Sequence, residues 1–306
     1  MRAVQSKEQE PKTAVSYREI THRVDLNTMT NVVPAATRPH NTMKHKNSGH
    51  PATATMEMAV VIPTLNEGEN IVALLEGIFA ADARLHAIVV DDGSRDGTAE
   101  KAREFGQNLA QNNGGVERVH IIERGRKMGY ASAIQDGMRY ALRRGAEIIL
   151  QMDADFSHDP KYLPAILRES HDCDLVIGSR YVPGGGTENW GLDRKILSGG
   201  ANSLVRFLLK LPTHDCTGGF RCWKRGLVES SGLLDLNVQG YAFQFMILEL
   251  LKKRRAVICE VPIIFVDRQY GKSKLSRRII FEAGEVLFVL WWQRLMRRVG
   301  LHSSHS

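Results

Sequence analysis

Ala146-Glu147-Ile148-Ile149-Leu150-Gln151 runs directly into Met152-Asp153-Ala154-Asp155. The first six residues are β-prone and largely apolar, which predicts a buried strand. That strand delivers two carboxylates, one residue apart, into the loop Phe156-Ser157-His158-Asp159-Pro160. Carboxylates repel each other and lose hydration on burial, so packing gives no reason to set them at the mouth of a strand. A hard divalent cation does: Mg2+ or Mn2+ takes oxygen ligands, keeps several waters and is completed by phosphate oxygens. A solvated turn after a strand is the other reading that a bare D-x-D permits.

On either side of this stretch the same rhythm repeats. Met58–Pro63, Leu85–Val90, Val119–Ile122, Glu147–Met152 and Asp174–Ile177 read as short buried strands. Between them, Asn70–Ala80, Asp96 to about Phe105, Tyr130–Arg144 and Pro160–Glu169 read as helices. Alternating strands and helices predict an α/β fold with a mostly parallel, Rossmann-like sheet covered on both faces. In such sheets ligands bind beyond the carboxyl ends of the strands. The polar clusters fall there: Asn66-Glu67 after the first strand, Asp91-Asp92-Gly93-Ser94 after the second, Asp153 and Asp155 after the fourth, Ser179-Arg180 after the fifth. Further on, Arg194–Lys210 and Tyr241–Lys253 read as helices, His214–Arg221 as a loop and Val257–Val266 as extended chain.

The 306 residues could make one large α/β domain or two small ones, and 43% hydrophobic content permits an ordinary core. Residues 1–55 are polar, lack apolar periodicity and read as a disordered arm; with no apolar h-region they form no secretory signal. The cysteines at 173, 216, 222 and 259 show no C-x-x-C spacing and read as reduced thiols of a cytoplasmic chain. Two motif classes are missing. No G-x-G-x-x-G follows the first strand, and no G-x-x-x-x-G-K-[ST] occurs, which disfavours a dinucleotide dehydrogenase and a P-loop NTPase. A nucleic-acid partner is disfavoured too, because the strand-end acids repel phosphate unless a metal intervenes.

Val61-Ile62-Pro63-Thr64-Leu65-Asn66-Glu67, Val90-Asp91-Asp92-Gly93-Ser94, Met152-Asp153-Ala154-Asp155 and Gly178-Ser179-Arg180 stand in the order seen in family 2 glycosyltransferases. Arg194-Lys195-Ile196-Leu197-Ser198, Asp215-Cys216-Thr217-Gly218-Gly219-Phe220-Arg221, Gly240-Tyr241-Ala242-Phe243-Gln244, Glu260-Val261-Pro262-Ile263 and the run Phe265-Val266-Asp267-Arg268 to Gly271-Lys272-Ser273-Lys274-Leu275 resemble the dolichol-phosphate mannose synthase branch. The resemblance spans about residues 57–280. It implies a single GT-A catalytic domain over 56–276 and inverting transfer of mannose from GDP-mannose to a dolichyl or polyprenyl phosphate. UDP-glucose as donor, or an inert nucleotide-sugar-binding protein, are the alternatives.

Carried over by position, the resemblance puts Pro63, Asn66, Glu67, Asp91 and Asp92 in the nucleotide pocket. Asp153 and Asp155 would hold the metal and the diphosphate, with Ser157 where some relatives carry Gln. Arg180, Arg194, Ser198, Lys272 and Lys274 would meet the acceptor phosphate. His158 is expected beside the metal or facing solvent rather than ligating it, since these ions prefer oxygen.

A polyprenol acceptor demands a bilayer surface. The longest late apolar run, Val286–Trp292, is seven residues, against about 20 needed to span a membrane. Residues 277–306 therefore read as an amphipathic helix and tail with basic ends. That helix either lies in the headgroup region or packs against the sheet. A small membrane subunit is a further partner consistent with a peripheral chain on the cytoplasmic face.

Overall fold

The structure, a computed structural model, describes residues 56–238, 240–267 and 277–298. The expected arm at 1–55 and the two lysines Lys272 and Lys274 lie outside the described residues.

The elements in chain order are β1 (Met58–Thr64), α1 (Ile71–Ala81), β2 (His86–Asp91), α2 (Thr98–Asn112), β3 (Val119–Glu123), α3 (Tyr130–Arg143), β4 (Ile148–Gln151), α4 (Leu163–Glu169) and β5 (Leu175–Ser179). They continue with β6 (Gly186–Glu188), α5 (Leu192–Leu209), β7 (Arg221–Lys224), α6 (Arg225–Ser231), α7 (Tyr241–Arg254), β8 (Ile258–Pro262), β9 (Ile264–Val266) and α8 (Arg277–Arg298). The main sheet has the order β3-β2-β1-β4-β7-β5-β8. All its pairings are parallel except those of β7, which runs antiparallel between β4 and β5. β6 and β9 form a second, two-stranded parallel sheet.

Alternation along β1 divides the interior. Ala59 and Val61 join the cluster built with α3, α5, α7 and α8, whereas Val60 and Ile62 join the one built with α1, α2 and α4. On α1, Ile71, Leu74, Leu75 and Ile78 are fully buried, each contributing about 1.5–3 kcal/mol of transfer free energy. Gly137 marks the tightest approach of a helix to the sheet: a Cβ there would fall 2.3 Å from Val61 Cγ1. Chain order reverses at β1, whose neighbours β2 and β4 lead away in opposite directions, so the switch-point crevice opens beyond the ends of β1 and β4.

Three expectations change. The loop expected over His214–Arg221 gives its last residue to β7, a strand not expected from the sequence, which enters the sheet centre and pairs Leu150 with Cys222 and Gln151 with Arg221. α2 runs on to Asn112 rather than stopping near Phe105. The cysteines are not all thiols: Cys173 and Cys259 form a disulfide, while Cys216 and Cys222 are free and buried. The register that sets Val176 beside Cys259 also brings Cys259 near Cys173, 86 residues earlier in the sequence. The extended segment 257–266 divides at Ile263 into β8 and β9.

Candidate active site

Thr64 ends β1, and its hydroxyl donates to Asp91 Oδ1 at 2.9 Å. Asp91 also accepts from Ser94 Oγ (2.5 Å) and from the backbone amides of Gly93 and Ser94 (3.1 and 2.8 Å). Four donors fill the acceptor sites of one carboxylate, so Asp91 builds the turn that shapes the crevice. Asp92 takes the amides of Met128 (3.2 Å) and Gly129 (2.8 Å) on Oδ2, with Arg124 Nη1 3.0 Å from Oδ1. Pro63 is half-buried at the strand end. Asn66 adopts φ 53°, a left-handed conformation that asparagine tolerates, and accepts from the Arg95 amide at 2.9 Å. Glu67 is buried and accepts from Asn70 Nδ2 at 2.9 Å.

Across the crevice, Asp153 follows β4. Its Oδ1 accepts from the Tyr130 phenol at 2.9 Å, and that phenol accepts from Gln151 Nε2 at 3.1 Å. The Asp153 amide donates to His158 Nδ1 at 2.9 Å. His158 is buried, stacked on Phe220 at 5.0 Å and edge-on to Phe265 at 5.5 Å, rather than facing solvent. Burial pushes its pKa down against the pull of Asp153 and Asp155. Burial and the Asp153 charge together raise the Tyr130 phenol well above its usual value. Asp155 Oδ1 accepts from both the hydroxyl (2.5 Å) and the amide (3.2 Å) of Ser157. Asp153, Asp155 and Ser157 thus offer hard oxygen donors, whereas the nearest imidazole has its Nδ1 taken by a backbone amide. Two carboxylates and a hydroxyl are a small set, and they fit an ion that keeps water and completes its shell with phosphate oxygens.

Arg180, following β5, is buried. Its Nε and Nη2 grip Asp215 at 2.7 and 2.8 Å, and Nη2 also donates to Thr217 Oγ1 at 2.8 Å. Burial would raise the Asp215 pKa, but the Arg180 charge and its hydrogen bonds hold it below the ordinary carboxylate value. Arg194, on the first turns of α5, pairs with Asp267 at 2.6 Å and lies 4.3 Å over the Trp190 ring. Ser198, one turn later, meets the Tyr181 hydroxyl at 3.0 Å. Phe265 of β9 ties these groups together, touching His158, Trp190 and the Arg180 guanidinium (5.5, 5.4 and 5.4 Å). The expected residues therefore form two walls joined by aromatic rings.

Sequence reading passes over Tyr130, Trp190 and Phe265. It also does not reveal that each arginine already has a carboxylate partner. Arg221 is fully buried, its pKa lowered to about 10 by burial. Among the described residues its Nη1 has no hydrogen-bond partner, and neither do the buried Gln151 Oε1 and Gln244 Oε1. A separate cleft of about 740 Å3, bordered by Glu147, Asp174, Lys224, Arg225 and Arg254, includes none of the site residues.

Acids gathered at the switch point of a mostly parallel α/β sheet, linked through Phe265 to two arginines, suit a GT-A type transferase. The model of glycosyl transferase family 2 matches residues 59–232, and the chain belongs to that family. The chain is 40% identical over 236 residues to the polyprenol monophosphomannose synthase of Mycolicibacterium smegmatis, spanning 76% of this chain and 87% of that protein. It is 36% identical over 251 residues to the undecaprenyl-phosphate mannosyltransferase of Micrococcus luteus, spanning 80% of this chain and all of the relative (100%). Among solved structures, glucosyl-3-phosphoglycerate synthase from Mycobacterium tuberculosis, in complex with Mn2+, UDP-glucose and phosphoglyceric acid, shares the fold. Its TM-score is 0.54 at 17% identity, over 82% of this chain and 83% of that one. The protein is a glycosyltransferase.

Proposed function

We propose that the chain moves a mannosyl group from GDP-mannose to the phosphate of a membrane polyprenol, with inversion. The observation that carries this reading is that Phe265 links the acidic wall, Asp153 and Asp155 beside His158, to the basic one, Arg180 and, through Trp190, Arg194 with Ser198. The choice of sugar and acceptor is supported by the activities named for the two relatives. Asp153, Asp155 and Ser157 would hold Mg2+ or Mn2+, which supplies charge neutralisation of the departing diphosphate. Pro63, Asn66, Glu67 and Asp92 border the nucleotide, while Asp91 keeps their turn in shape.

One oxygen of the acceptor phosphate attacks the anomeric carbon as the bond to the diphosphate breaks, and GDP leaves with that electron pair. A phosphate monoester is largely ionised near neutral pH, its second pKa being about 6, so no side chain has to take a proton from it. What it needs is positioning by cations. Arg194, partly exposed, exchanges Asp267 for a phosphate oxygen, and Ser198 donates beside it. Lys272 and Lys274 belong to the same acceptor site in this reading.

The acceptor's lipid also calls for a bilayer face. Among the described residues no helix is long and apolar enough to cross a membrane. α8 packs inward through Leu287, Val289 and Leu290, leaving Phe288 and Trp292 exposed. The larger apolar surface is on α5, where Leu192, Ile196, Leu197, Leu204 and Phe207 are all exposed. Because Arg194 and Ser198 sit on that same helix, laying it on the headgroups brings the acceptor phosphate to the site. Arg194, Lys195, Arg206 and Lys210 accompany the apolar residues, as in interfacial helices.

Incubating the purified protein with undecaprenyl phosphate and either GDP-mannose or UDP-glucose, with and without EDTA, tests this reading. Metal-dependent transfer from GDP-mannose is expected. Preference for UDP-glucose would replace the sugar assignment, and metal-independent turnover would strip Asp153 and Asp155 of a metal-holding role.

A further inference from the structure

Tyr130 opens α3, the helix that begins where the Met128 and Gly129 amides bind Asp92. Its phenol has a fixed sense. It accepts from Gln151 Nε2 at 3.1 Å, so its own proton goes to Asp153 Oδ1 at 2.9 Å. The sense is set by Asp153, whose carboxylate can only accept, and Gln151 turns its donor end to the phenol. The second oxygen of Asp153 has no hydrogen-bond partner among the described residues; the nearest cation-capable atom, His158 Nδ1, lies 3.9 Å away and already accepts the Asp153 amide. One oxygen is therefore pinned from below and the other is presented to the crevice.

The surroundings are cut to admit the phenol. A Cβ on Gly219 would fall 2.7 Å from the Tyr130 hydroxyl and 3.5 Å from both Gln244 Nε2 and His158 Cε1. The residue at 219 thus has to lack a side chain for the tyrosine to reach Asp153. Nothing in hydrophobic packing requires a hydroxyl at this place, since a phenylalanine ring fills the same volume. The hydroxyl's two contacts are the amide that orients it and the carboxylate it orients.

We propose that Tyr130 is a positioning residue for Asp153, its phenol fixing Oδ1 so that Oδ2 is aimed at the divalent ion and the sugar-nucleotide diphosphate. This role rests on the donor site proposed for Asp153 and Asp155. Groups that orient a ligating carboxylate typically change metal affinity or activity by about 10–100-fold when removed. Tyr130 acts through Asp153 and does not itself touch substrate.

The test is Mn2+ binding followed by electron paramagnetic resonance in the presence of GDP, together with GDP affinity measured in EDTA. Tyr130→Phe keeps the ring and is expected to weaken Mn2+ binding about 10–100-fold. Metal-free GDP affinity should stay within about twofold, with excess Mn2+ restoring turnover. Gly219→Ala, which drives a methyl group toward the phenol, should shift Mn2+ affinity in the same direction and decides the matter should Tyr130→Phe not fold. Unchanged Mn2+ affinity in the folded variants overturns the positioning role. So does a parallel loss of metal binding and metal-free GDP binding, which marks a merely structural residue. Absence of Mn2+ binding by the wild type would instead overturn the donor-site reading, and this proposal with it.

Discussion

The two walls of the site are held in opposite ways. On the acidic side, Asp91, Asp153 and Asp155 are oriented by neutral donors, namely backbone amides, serine and threonine hydroxyls and one phenol, whereas Asp92 has an arginine, Arg124, beside it. Oxygen donors held in place by such groups suit a divalent cation. On the basic side, Arg180 and Arg194 are each paired with a carboxylate, Asp215 and Asp267. That wall carries little net charge until a partner is exchanged. The two arginines also differ from each other. The Arg180–Asp215 pair is buried and bidentate, whereas Arg194 and Asp267 are 41% and 34% exposed. A buried pair fixes shape; an exposed one can trade its carboxylate for a phosphate.

Arg180→Ala puts this contrast under the greatest strain. It leaves Asp215 stranded in the interior and is expected to cost about 3–5 kcal/mol, read as a large fall in denaturation midpoint. A variant as stable as wild type would show that the pair is not a structural clamp. Asp153→Ala should fold normally yet lose about 10²–10³-fold in turnover, the range for removing one electrostatic stabiliser of a transition state. Retention of Mn2+-dependent turnover would place the metal elsewhere.

Gly137→Ala tests how rigidly α3 is seated behind the acidic wall. Forcing a methyl group against Val61 should cost about 1–3 kcal/mol in urea titration, and a neutral result would mean that α3 shifts freely.

A smaller, conditional effect comes from the sheet flank, away from both walls. His86 Nδ1 and His120 Nε2 are 3.2 Å apart, and His120 Nδ1 meets the Tyr140 hydroxyl at 3.2 Å. Burial lowers both imidazoles to about 4, with the His120 charge adding to the effect on His86 and Arg144 to that on His120. The unfolded chain takes up these protons near pH 6.5 and the folded chain only near 4, so stability is intact above 6.5 and falls as the pH drops through that window. Thermal melts between pH 7 and 4 should follow this slope, and His120→Gln should flatten it.

Much of the acidic wall was legible in the sequence because each acid follows an apolar run of strand length, and such ends share one side of a parallel sheet. Of the basic wall, Arg180 was legible as a strand-end residue, but its pairing was not, and Arg194 and Ser198 were legible only through motif resemblance. Arg180 and Asp215 are 35 residues apart, and only the return of the chain through β7 brings them together. β7 itself, Arg221–Lys224, is four residues with charges at both ends and a fully buried arginine, so no apolar period announces it. The Cys173–Cys259 pairing depends on β5–β8 register, a tertiary fact. Tyr130 reads as an ordinary helix start; its role depends on the missing side chain at Gly219, a residue 89 positions along the chain. α8 shows the remaining ambiguity of amphipathic patterns. Leu287 and Leu290 face the core while Phe288 and Trp292 do not, and among the described residues the larger group of exposed apolar side chains is on α5 instead.

Arg194→Ala separates the duties of the two walls. Acceptor KM for undecaprenyl phosphate and the Kd for GDP with Mn2+ are measured side by side with wild type. Stability should stay within about 1 kcal/mol of wild type, as for an exposed ion pair. GDP affinity should be unchanged, while acceptor KM rises by about tenfold or more, the loss of one charge-assisted hydrogen bond to phosphate. Equal loss of donor and acceptor binding, or an unchanged acceptor KM, would contradict the assignment of donor to one wall and acceptor to the other.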